Sequence, residues 1–145
     1  MPYTELMYQS NSIEETNAIG EKICSFLQKF DLVSFFGDLG SGKTTLIKAI
    51  ISSLCPLIDK DAITSPTFTY LQIHKASTPI FHFDLYRLPA IEDFLFSGFH
   101  EYFSEGLSFI EWPDRILSLL PKTMLRIDIE RQNIDQRLIR IQRRS

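Results

Sequence analysis

Cysteine is scarce in this sequence, with Cys24 and Cys55 the only two. They lack metal-ligand spacing, which excludes a cysteine-built metal centre. Both are expected in helices as small buried hydrophobes, compatible with a reducing compartment. Long apolar runs are also missing, and none approaches the ~20 residues a membrane span needs. Residues 1–10 are polar and aromatic, without the apolar stretch of a secretion signal. A cytoplasmic protein with no membrane contact is therefore expected. Charge of one sign is absent as well: the formal net charge is −3, so no global field draws the chain to nucleic acid. The one local exception is Arg131, Arg137, Arg140, Arg143 and Arg144 near the C-terminus. They suit a solvated, charged edge strand, which discourages aggregation, or else an RNA-contacting strip.

What is present suits one compact domain covering residues 1–145, with room for one core and one site. Ser12 followed by Glu15 reads as a capping box opening a helix. Ile19, Ile23, Phe26, Leu27 and Phe30 then recur at helical spacing as a buried stripe. Leu32 to Phe36 reads as a buried parallel strand. Leu46, Ile47, Ile50, Ile51 and Leu54 mark the next helix, which must end before Pro56. Thr67 to His74 and Pro79 to Asp84 read as strands, and Ile91 to Phe103 as short helical turns around Gly98. Leu107 to Glu111 reads as another buried strand, and Asp114 to Leu120 as a short helix stopped at Pro121. Thr123 to Glu130 and Gln136 to Arg143 read as an antiparallel hairpin turning at Gln132 and Asn133. The alternation predicts an α/β fold of three layers about a central, mainly parallel sheet.

The chemistry is carried by G-D-L-G-S-G-K-T, Gly37 to Thr44, between a predicted strand and a predicted helix. That context is the one a P-loop requires. Glycines let backbone N–H groups converge on phosphate oxygens as an anion nest, and the helix start adds its positive dipole end. Asp38, Leu39, Gly40, Ser41, Gly42, Lys43, Thr44 and Thr45 are the expected nucleotide contacts. Lys43 reaches the β- and γ-phosphates, and the Thr44 hydroxyl ligates magnesium. Without nucleotide, the lysine head is expected to stand in solvent. Asp84 and Glu111 each end an apolar strand, at the sheet edge where open α/β folds bind ligands. They are the candidate acids for the magnesium shell. His74, His82 and His100 lack partners in sequence and read as structural histidines. Trp112 reads as core, although its place after Glu111 would let it shield the site.

Gly37–Thr45, S-P-T-F-T (Ser65–Thr69), H-F-D-L-Y-R-L (His82–Leu88) and E-W-P-D (Glu111–Asp114) follow one another at set intervals. Together they resemble the bacterial TsaE (YjeE) family over nearly the whole chain. The resemblance implies an ATPase, weak alone, that uses ATP and Mg2+. It would support threonylcarbamoylation of the adenosine next to the anticodon in tRNAs reading codons that begin with A. The implied partners are the threonylcarbamoyl transferase subunit and its non-catalytic paralogue, with tRNA contact indirect or weak. By the same resemblance, Glu111 completes the magnesium shell and Asp84 takes a Walker B-like role. Thr67 would belong to a switch-like loop, and Ser12 and Arg131 would lie near the nucleoside. Where the family usually has Glu, this sequence has Asp114.

Three rival classes compete with this reading. A small-molecule kinase closes an arginine-bearing lid, yet no arginine stands between Thr45 and Tyr86. A GTPase would carry N-K-x-D, which is absent. A non-hydrolysing nucleotide-binding adaptor is excluded by nothing in the sequence. No arginine is obviously placed to reach the transferring phosphate, which suggests one supplied by a partner; Arg87 is the internal rival. Phe94, Phe96, Phe99, Tyr102 and Phe103 suit either a core face or a partner-docking surface.

Overall fold

The computed structural model describes residues 3–144, and the side chains of 4–143. Its sheet has seven strands: β1 (Tyr3–Ser10), β2 (Leu32–Phe36), β3 (Leu71–His74), β4 (Ile80–Asp84), β5 (Leu107–Glu111), β6 (Leu125–Arg131) and β7 (Arg137–Arg144). Their spatial order is β1-β7-β6-β2-β5-β4-β3. The central pairs β6/β2, β2/β5 and β5/β4 are parallel, while β1/β7, β7/β6 and β4/β3 are antiparallel. The expected α/β architecture with a C-terminal hairpin is thus observed.

Helices α1 (Ile13–Cys24) and α2 (Lys43–Leu54) cover one face. Ile19, Ile23, Leu46, Ile47, Ile50 and Ile51 pack there against Val33, Phe35, Phe109, Ile127 and Ile139. The helix α3 (Ile91–Phe96) and the 3₁₀ segments Phe99–Ser104 and Pro113–Leu119 cover the other face. Phe94 and Ile116 are fully buried against Phe81, Phe83 and Ile110. Phe99, Tyr102 and Phe103 pack on this same cluster. The core reading therefore holds for four of the five aromatics, and only Phe96 stands out, 89% exposed.

Several expectations are corrected. The β1 strand was not foreseen: Leu6, Tyr8 and Ser10 face inward in alternation with exposed neighbours. Because β1 pairs along all of β7, the arginine-rich strand is not an edge. Arg143 instead forks onto Asp31 at 2.6 and 2.8 Å, and Arg140 pairs with Glu5. The side chain of Arg144 lies outside the described residues.

Helix α1 stops at Cys24, where Ser25 N–H and Oγ bond back to Lys22 O. Phe26 and Leu27 still reach the core, but Phe30 is 54% exposed. Cys55 caps α2 from outside the helix. The third strand begins only at Leu71, because Pro66 and Tyr70 close a turn through Tyr70 N–H to Pro66 O, with Tyr70 at φ 67°. A local turn thus overrides the strand propensity of Thr67 and Thr69. The final hairpin turns through residues 132–136, where Asn133 Oδ1 accepts from Asp135 and Gln136 N–H. No helix among the described residues is long and apolar enough to cross a membrane.

Candidate phosphate and metal site

Strand β2 ends at Phe36, and the chain turns through Gly37–Gly42 into α2. Gly42, at φ 106° and ψ 15°, is the N-cap of α2. A side chain there would be strained, so glycine is what permits this turn. The first N–H groups of α2 have no intrahelical partners, and their residues line the opening.

The parallel register of β4 and β5 sets Asp84 beside Glu111 at their carboxyl ends. Both acids are buried, at 4% and 2% exposure. Thr44 Oγ1 lies 3.2 Å from Glu111 Oε1. Ser65 Oγ lies 2.7 Å from Glu111 Oε2 and 2.8 Å from Asp84 Oδ2. Thr67 Oγ1 donates to the same Asp84 oxygen at 2.9 Å, while Asp84 Oδ1 accepts from Tyr86 N–H at 3.1 Å. His82, fully buried, places Nε2 at 2.7 Å from Glu111 Oε2.

The sequence reading missed two members of this group. From sequence His82 reads as structural, because its partner is 29 residues away and is supplied only by strand register. Ser65 was legible as part of the S-P-T-F-T motif, but not as the hydroxyl linking both acids.

Burial alone would raise the Glu111 carboxyl. Contacts with His82, Ser65 and Thr44 outweigh it and hold the carboxyl below its ordinary range. Burial pushes the Lys43 ammonium down, opposed by Glu111, Asp84, Asp38 and Asp114.

Lys43 corrects an expectation. Its head is not in solvent: the residue is 6% exposed, and Nζ donates to the carbonyls of Gly37 and Asp38. Trp112, at φ 59°, lays its ring 4.0 Å from Nζ. The ring is thus at the site, and Tyr86 packs on it with centroids 4.9 Å apart.

Two adjoining hollows open here. The larger, about 570 Å³, is lined by residues 38–45, Ser65, Thr67, Asp84, Tyr86, Arg87, Glu111, Trp112 and Arg137. The smaller, about 170 Å³, lies between Ser12, Ile13 and Thr16 on one side and Ile129, Ile134, Asp135 and Arg137 on the other. The sequence-predicted P-loop residues and both acids are therefore brought together, and Ser12 borders the adjoining hollow. Arg131 lines neither hollow; its Nε donates to Asn133 O and its Nη1 hangs near Gly40. Arg137 takes the inner position, its Nε donating to Ser41 O at 2.8 Å. Arg87 lies over the exposed Phe68 ring at 4.8 Å.

The site's chemistry suits phosphate and a hard cation. Thr44, Ser65, Asp84 and Glu111 offer oxygen, the donor that magnesium selects. Ser65 has one hydroxyl hydrogen for two carboxylate neighbours, so one close oxygen pair has no hydrogen between its members. A cation would relieve that contact. The buried Ser41 hydroxyl in the glycine turn has no partner among the described residues. No set of three or more His, Cys, Asp or Glu among them could hold a metal alone. Magnesium needs none, since it takes one or two carboxylates and fills its shell with phosphate and water.

Residues 10–139 match the family model described as threonylcarbamoyl adenosine biosynthesis protein TsaE. The chain belongs to the TsaE family. It is 38% identical over 136 residues to the tRNA threonylcarbamoyladenosine biosynthesis protein TsaE of Rickettsia conorii, covering 93% of this chain and 77% of that one. The TsaE of Bacillus subtilis is 34% identical over 137 residues, covering 93% and 84%. The crystal structure of YdiB from Bacillus subtilis superposes with a TM-score of 0.76 at 29% identity, across 100% of this chain and 89% of that one. The TsaE match thus takes in the glycine turn, both acids, His82 and Ser65 alike.

Proposed function

We propose that this TsaE-family protein binds ATP with magnesium, hydrolyses it slowly alone and acts in tRNA threonylcarbamoyladenosine biosynthesis. It would do so through a transferase subunit and that subunit's non-catalytic paralogue. The observation that carries this reading is the convergence of Thr44, Asp84 and Glu111 on the mouth of the glycine turn. The pathway is the one named for its relatives in Rickettsia and Bacillus.

In this reading the main chain of residues 38–45 holds the phosphates, and Lys43 leaves the Gly37 and Asp38 carbonyls to serve them. Thr44 and Glu111 hold the metal, with Asp84 beside them. Held there by Thr44 and Glu111, magnesium would supply charge neutralisation for the transferring phosphoryl group. Asp84 also grips Ser65 and Thr67, so the Ser65–Thr69 segment is placed to respond to the terminal phosphate. The hollow beside Ser12, with Ile13 and Ile134 on its walls, suits a flat nucleobase.

Phosphate release from ATP and from GTP, with and without magnesium, tests the reading. ATP with magnesium should be the working pair. Nucleotide binding without any release would favour a non-hydrolysing adaptor instead.

A further inference from the structure

His82 is a polar ring set wholly inside an apolar sheet. Such burial costs free energy unless the polar atoms are paired. The ring makes one polar contact, Nε2 to Glu111 Oε2 at 2.7 Å, and its Nδ1 has no partner among the described residues. A carboxylate only accepts, so Nε2 carries the hydrogen. The other Glu111 oxygen, Oε1, faces the Thr44 hydroxyl at 3.2 Å. Glu111 is therefore held from behind by His82 and met in front by Thr44. Ser65 is a weaker tether, because its single hydrogen is contested by Asp84.

We infer that His82 is a positioning residue that locks Glu111 with Oε1 turned toward the Thr44 hydroxyl, so that both oxygens can share one divalent cation. The inference rests on the magnesium reading above. Without His82, the flexible Glu111 side chain keeps only hydroxyl contacts. The phosphate cradle, built from main-chain N–H groups, is untouched. Outer partners of metal ligands typically contribute 10–100-fold in metal affinity or activity.

The test compares wild type with His82→Leu and His82→Gln, the latter keeping an N–H donor at comparable reach. Binding of ADP is measured by calorimetry in EDTA and across a magnesium titration, alongside kcat and KM for ATP. In EDTA all three should bind ADP alike. In His82→Leu the magnesium needed for half-maximal enhancement should rise about 10–100-fold, with kcat falling and KM at saturating magnesium held. His82→Gln should recover most of both. An unchanged magnesium requirement in His82→Leu overturns the inference. So does an equal loss of ADP affinity in EDTA and in magnesium, which marks a structural role. If His82→Leu does not fold, His82→Gln against the shorter His82→Asn decides, and identical magnesium curves overturn the inference. Magnesium-independent ADP binding by wild type would instead remove the reading beneath it.

Discussion

Lys43 Nζ lies 4.0 Å from the centre of the Trp112 ring, and the same ammonium donates to the carbonyls of Gly37 and Asp38. The cation that a phosphate would use is held beneath an indole and against main-chain oxygens. Trp112 reaches that place through a left-handed backbone, φ 59°, which costs a bulky residue about 1–3 kcal/mol. On the proposed function, nucleotide would draw the lysine off the ring.

Trp112 is the only tryptophan in the chain, so its fluorescence reports on this corner of the site, where Lys43 and Tyr86 both meet the ring. Saturating ADP or a non-hydrolysable ATP analogue should change the emission of wild type, and Lys43→Ala should lose most of that change. The same variant should lower ATP turnover by about 10²–10³, the cost of removing one preorganised charge donor. Emission that does not respond to saturating nucleotide would contradict the displacement of Lys43.

Glu111→Gln should weaken magnesium binding, so that more magnesium is needed, and lower turnover while leaving nucleotide binding largely intact, as calorimetry with an ATP analogue would show. Stability supplies a second readout. The folded Glu111 carboxyl sits below its unfolded value. Its contribution is thus present above the ordinary carboxylate range and is lost as pH falls through the folded value. Thermal unfolding followed from neutral pH to about pH 3 should show a smaller acid-induced drop in Tm for Glu111→Gln than for wild type. Parallel drops would remove Glu111 from the groups that drive acid unfolding.

Phe94→Ala should cost about 3–5 kcal/mol, the usual range for emptying a buried phenylalanine site. Its ring meets Phe83, Phe99 and Phe103 at centroid distances of 5.7, 5.6 and 5.8 Å. Phe96→Ala, on the exposed side of the same helix, should stay within about 0.5 kcal/mol. Urea unfolding of the two variants measures the contrast, and equal costs would refute the assignment of Phe94 to the core.

These cases show how much the sequence disclosed. Strand β2, the glycine turn and β5 were legible to the residue, because a short apolar run ending in Gly or Glu leaves few alternatives. Asp84 and Glu111 were legible as strand-end acids, since parallel strands deliver their carboxyl ends to one edge. The Lys43–Trp112 contact was not, because it depends on a positive φ at a bulky residue. His82 was hidden for a different reason: its partner lies on another strand, and only register brings them together. The edge-strand reading of the arginines failed because the strand Tyr3–Ser10, whose apolar residues are few and scattered among polar ones, covers β7.

Arg137→Ala should weaken nucleotide binding about 10- to 100-fold, the size expected from losing a charge-assisted hydrogen bond of about 1.5–3 kcal/mol. Its Nε ties the hairpin to Ser41 O, and its guanidinium lies beside Gly42. Arg131→Ala, removing a side chain outside both hollows, should do far less. Titration of both variants with a fluorescent adenine nucleotide separates them, and a larger effect at Arg131 would return that residue to the position expected from sequence.

Steady-state phosphate release titrated with the transferase and its paralogue is the most direct test of a partner-driven ATPase built on Lys43, Thr44 and Glu111. Arg87 is engaged with Phe68 and, among the described residues, is the one arginine besides Arg137 lining the cleft. An arginine finger supplied in trans is worth about 10³–10⁵ in rate in other P-loop proteins. The account predicts slow, magnesium-dependent ATP hydrolysis alone, a large rise at saturating partner, and loss of both rates in Lys43→Ala. No rise at saturating partner, or wild-type hydrolysis by Lys43→Ala, would contradict it.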